Sequence, residues 1–85
     1  MSELTPAAKE ARALEAERIQ HDDTISAAIE AMRAHGLEQL LLTKPDDALK
    51  ISQLQAYVAA VDAFRGQLAV FITQGRPQKP RTGLA

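Results

Sequence analysis

The sequence has no cysteine and no tryptophan. Without thiols there is no disulfide framework and no thiolate metal site. Its two histidines, His21 and His35, stand 14 positions apart, outside any common paired-ligand spacing. Aromatic residues are scarce, with only Tyr57, Phe64 and Phe71, and much of the 46% hydrophobic content is alanine. That composition argues for helices rather than sheet. Long hydrophobic runs are also missing: Asp62 and Arg65 interrupt the most apolar stretch, so no membrane-spanning segment is expected. Glu3 near the start, with no apolar core segment after it, argues against a signal peptide, and the expectation is a soluble, cytoplasmic protein.

The apparatus of catalysis is missing as well. There is no Gly-rich phosphate loop, and Ser2, Ser26 and Ser52 lie in no sequence resembling a nucleophile elbow. His21, Asp22 and Asp23 are adjacent, so on a helix they point in different directions and read as a solvated acidic face. His35 is expected to lie near a helix C-terminus, where its partial positive charge suits the dipole. No enzymatic activity, cofactor, metal or small-molecule substrate is therefore expected.

What is present is helix grammar on a short chain. Eighty-five residues allow one domain, read as residues 1–75 followed by a tail over 76–85. A chain this short buries a small share of its surface, and without disulfides or metal, self-association or docking on a larger partner is the remaining route to stability. Net charge is −1, but it is unevenly placed. Residues 1–62 hold 6 basic and 11 acidic side chains (−5), whereas residues 63–85 hold 4 basic and none acidic (+4).

Thr5 and Pro6 form a helix start, with a capping hydroxyl and a proline at the first helical position. The following segment has Leu14 as its only large apolar residue up to Arg18, so residues 1–22 read as an exposed helical arm. Asp22, Asp23 and Thr24 either start a second helix or lie on the surface of a continuous one. Ile25, Ala28, Ile29 and Met32 follow at helical spacing. Gly36 then fits a left-handed helix ending, with Leu37 folding back on Met32. Leu37–Leu42 is expected to add one or two helical turns, and Pro45 to open the main helix, running to Gly75.

That main helix carries the functional expectation. Ile51, Leu54, Val58, Val61, Leu68 and Ile72 fall on alternating steps of three and four, with Arg65 in the same series. Tyr57, Phe64 and Phe71 are spaced seven apart in a flanking column, and together these cover about 160° of the helix. Ala59, Ala63, Gly66 and Val70 make a ridge of small residues on another side. The remaining chain supplies Ile25, Ile29, Met32 and Leu37, Leu40, Leu41 and Leu42, enough to cover one face and hardly both. Uncovered apolar surface marks an interaction site. The candidate interface residues are Leu54, Tyr57, Val58, Val61, Phe64, Arg65, Leu68, Phe71 and Ile72, a face expected to split between internal core and interface. Arg65 reads either as a rim arginine held by Asp62 or as a buried polar group that fixes register.

The fold expected is all-α, a helical hairpin or three-helix bundle (long helix, short helix, long helix) with an extended basic tail. In that tail Arg76, Lys79 and Arg81 are candidate contacts to a neighbouring subunit or to nucleic-acid phosphates, and Pro77 to Pro80 matches a PxxP spacing. The stretch from Ile51 to Gly75 with its proline-basic tail resembles small helical proteins encoded in bacteriophage gene clusters, including accessory virion components and host-takeover factors. That resemblance implies an assembly or inhibitory role and, in the virion case, a location inside the particle. The function expected is a protein–protein interaction module, self-associating as a homo-oligomer or docking in a larger protein assembly. The alternatives are a nucleic-acid-associated regulator using the tail and an inhibitor of a host protein.

Overall fold

A computed structural model of the chain describes residues 4–76, which form three helices and no strand. Helix α1 spans Pro6–Gln20, α2 spans Asp23–Leu42 and α3 spans Ala48–Gly75. The starts follow capping chemistry. Thr5 accepts a hydrogen bond from the Ala8 amide at 3.1 Å, Asp22 from Ile25 at 2.9 Å and Asp47 from Lys50 at 3.1 Å. Each satisfies one of the amides that a helix start leaves without an internal partner. Asp22 therefore begins a second helix, and the break before it is only His21 and Asp22.

Two expected boundaries are corrected. The main helix opens at Ala48, three residues after Pro45. Lys44 to Asp47 instead close a turn, in which the Asp47 amide donates to the Lys44 carbonyl at 3.0 Å with proline at its second position. Gly36 does not end a helix either: α2 runs through it to Leu42, and Gly36 is buried. Its missing side chain makes room for a neighbouring helix. A Cβ there would lie 2.7 Å from Val58 Cγ2 and 2.9 Å from Tyr57 Cδ2 of α3. His35 consequently sits exposed inside α2; the histidine at a helix end is His21, whose Nδ1 lies 2.9 Å from the Glu17 carbonyl at the α1 C-cap.

Helix α3 is the common partner of the other two, which scarcely touch each other. Both run antiparallel to it, end to end. Gly75 lies against Lys9 and Ala13, while Ala16 and Ile19 cluster with Leu68, Phe71 and Ile72. Farther along, Glu30 meets Arg65, Arg33 meets Asp62, and Gly36 meets Val58. The segment read as an exposed arm thus packs on α3 through alanines, with Ala13 and Ala16 buried. Leu14 faces solvent, whereas Ile19 packs against the cluster on α3. Arg12 reinforces the junction: its guanidinium lies 4.0 Å over the Phe71 ring and donates to Gln74 Oε1 at 3.0 Å.

The core is thin. Ile29, Val58, Val61, Leu68 and Ile72 are buried with the two alanines, yet no large side chain is completely enclosed among the described residues. A two-layer arrangement of helices gives each only one covered stripe, so the rest of its surface stays open.

A candidate interface between the second and third helices

The heptad series of α3 faces the α1–α2 layer. Val58, Val61, Leu68 and Ile72 are buried there, Leu54 and Arg65 half-buried. Within the chain, Val58, Val61, Leu68 and Ile72 thus belong to the internal packing, the share of the divided face that goes to the core, while Leu54 and Arg65 keep part of their surface open. The aromatic column divides. Phe71 lies under Arg12, Tyr57 is half-buried beside Gly36, and Phe64 is 49% exposed. Tyr57 and Phe64 join Ile25, Ala28 and Met32 of α2, with Ala60 between them, around an apolar groove of about 420 Å³ floored by Ile29 and Val61. Not one of these eight residues carries a charge. The ridge of Ala59, Ala63, Gly66 and Val70 is uncovered too, and nothing lies within 4 Å of a Cβ built on Gly66. A third exposed group, Leu41, Leu42 and Leu49, caps the turn between α2 and α3.

Beyond Lys50, the charges on α3 pair with α2. Arg65 pairs with Glu30 rather than with Asp62, and Asp62 accepts from Arg33 Nε at 2.8 Å, so the expected pairing within α3 is replaced by two pairs across the helices. Asp62 also holds the Arg33 guanidinium further above its ordinary value, first by the hydrogen bond and then by charge. Both helices carry the same pattern, an acid followed three residues later by arginine: Glu30 with Arg33, and Asp62 with Arg65. In an antiparallel pair this reading meets its opposite at each rung. A slip of one turn would set Arg33 against Arg65 or Glu30 against Asp62. The ladder therefore specifies register, even though exposed pairs of this kind add little stability.

Asp62 and Arg65 are the only charged residues between Ile51 and Gly75. Contrary to the expectation from their position, they do not disqualify the helix as a span. By length and composition alone α3 is long and apolar enough to cross a membrane, and only 22% of its most apolar window is buried within the protein. Among the described residues no three histidine, aspartate or glutamate side chains are grouped to hold a metal ion. Of the tail candidates, Arg76 is described, as the extended residue after α3; Lys79 and Arg81 lie outside the described residues. No protein-family model, curated protein or solved structure matches the chain.

Proposed function

We propose that this chain is a non-enzymatic protein–protein interaction module, a small structural component that completes itself by burying the α2/α3 flank against protein. The observation that supports this most is the groove walled by Ile25, Met32, Tyr57 and Phe64, apolar and uncharged along its length. Monomeric soluble proteins rarely leave such a strip open, and exposed strips of this kind concentrate at interaction sites. Aromatic residues and methionine are enriched at the cores of protein interfaces, and tyrosine is among the residues that carry most binding energy there. The ion-pair ladder supports a protein partner over a lipid one. Asp62 and Arg65 tie the middle of α3 to α2, so α3 cannot enter a bilayer as a bare helix without breaking both pairs or taking a charged neighbour with it.

The test is Phe64→Asp. A half-exposed residue on an interface tolerates a carboxylate in the free chain, so far-UV circular dichroism should stay helical while association is lost, read as sedimenting mass or as co-purifying protein. A variant that keeps both its fold and every association of the parent contradicts the proposal. Sedimentation of the parent chain with vesicles, equally abolished by Phe64→Asp, would move the function to a lipid surface instead. A chain lacking residues 76–85 separates the nucleic-acid reading, under which retention on DNA or RNA at low salt would disappear with the tail.

A further inference from the structure

We propose that the α2/α3 flank is covered by a second copy of this chain, related to the first by a two-fold axis crossing the flank near Ala60. This rests on the reading of the flank as a protein-binding surface and adds what occupies it.

Charge supports the assignment. Near a two-fold axis each residue meets its own counterpart, so any charge there would face a like charge. None of the eight groove-lining residues is charged, and the two charges of α3 beyond Ile51 are engaged with Glu30 and Arg33. A surface shaped for an oppositely charged partner would carry charge to steer and select it. This flank carries none.

Shape supports it as well. The strip holds both a hollow of about 420 Å³ and the side chains that could fill one, Phe64 at 49% and Met32 at 46% exposure. Under a two-fold operation the Phe64 of each copy enters the groove of the other, and both grooves close at once. Ala60, between Tyr57 and Phe64 on α3, is the small residue that lets the two α3 helices approach.

Size sets how far the contact must extend. The groove-lining residues run from Ile25 to Met32 on α2 and from Tyr57 to Phe64 on α3, about 10 Å at the usual rise, whereas the 20 residues of α2 span about 30 Å. Two packed helices present a strip about 20 Å wide, so a contact along the full length of α2 has a footprint on the order of 600 Å² per copy, or about 1,200 Å² for the pair, the lower bound of specific interfaces. The groove forms the apolar centre of that contact and the ends of the helices its rim. The product is a four-helix bundle of two stacked layers, α2 and α3 of one copy against α2 and α3 of the other, with α1 at either end.

The absence of cysteine makes single-cysteine variants unambiguous. Ala60→Cys should form a disulfide-linked dimer on mild oxidation, since cross-linking requires Cα atoms about 4.4–6.8 Å apart. Ala59→Cys, about 100° around α3, should not. Equilibrium sedimentation of the parent chain should show a monomer–dimer equilibrium, weakened at least tenfold by Phe64→Asp. Met32→Glu serves as the second variant if Phe64→Asp loses helicity. Cross-linking through Ala59 in place of Ala60 overturns the proposal, because the dimer would then use the small-residue ridge. A strict monomer up to about 1 mM also overturns it. If that monomer loses a different protein from its native extract on Phe64→Asp, the protein-binding reading survives; if the substitution changes nothing, both fall.

Discussion

Replacing Gly36 by alanine separates two effects that ordinarily travel together. In a helix interior alanine is favoured over glycine by about 1 kcal/mol, because the unfolded chain has less freedom to lose. At Gly36 that gain meets an obstruction: the new methyl would stand 2.7 Å from Val58 Cγ2 and 2.9 Å from Tyr57 Cδ2, inside ordinary contact distance. Forcing a methyl into packed surroundings costs about 1–3 kcal/mol. The net for Gly36→Ala is thus a loss of about 0–2 kcal/mol. Gly66 provides the control, since a methyl there meets nothing within 4 Å. Gly66→Ala should be stabilising by about 1 kcal/mol, worth about 4–8 °C in melting temperature for a domain of this size. Urea unfolding of both variants at one fixed protein concentration measures the difference, expected at about 1–3 kcal/mol. Equal stabilisation by the two substitutions would refute the crossing of α2 and α3 at Gly36.

Reversing one rung of the ladder, as Arg65→Glu, should lower the melting temperature by placing two acids side by side, and Glu30→Arg with Arg65→Glu should recover most of the loss; absence of recovery would show that the pair does not form. Gly75→Ala should loosen α1, because a Cβ at that position collides with Ala13 and the Lys9 backbone; hydrogen exchange should rise in residues 6–20 and change little in α2. The Glu15 carboxyl is held below its ordinary value of 4.5, chiefly by its hydrogen bond from Arg18. Its contribution is therefore present above pH 4.5 and is lost as pH falls through the lowered value. Parent and Glu15→Gln melts should converge in acid, and the difference, small for so exposed a pair, should vanish in about 1 M salt.

Much of this architecture was legible in the residues. The steps of three and four from Ile51 to Ile72 named the face of α3 that packs inward, and Thr5 and Pro6 carried the start of α1; Asp22 to Thr24 offered the start of α2 as one of two readings. Three features were not visible at that level. Gly36 has the same letter whether it ends a helix or clears space at a crossing; only the partner helix decides, and here Tyr57 and Val58 do. The docking of α1 relies on Ala13 and Ala16, whose small areas give a weak hydrophobic pattern although they allow close approach to Gly75. The sequence marks one broad face to be divided between core and interface, but not where the division falls; a helix packed on one layer turns its central stripe inward. What remains outside is the flank with Phe64, together with Ile25, Ala28 and Met32 from α2, residues read in the sequence only as cover for the core. The matching acid-to-arginine patterns on α2 and α3 are the sequence signal for the cross-helix ladder.

Solvent access to Met32 tests most directly whether the flank is an interface. Hydroxyl-radical footprinting can follow its oxidation relative to labelling of Leu41, which is 87% exposed at the turn. A buried flank predicts that the Met32 signal falls as protein concentration rises, and that Phe64→Asp abolishes the fall while Leu41 stays constant. A Met32 rate that remains the same from dilute to concentrated solution, and also in native cell extract, would contradict the account.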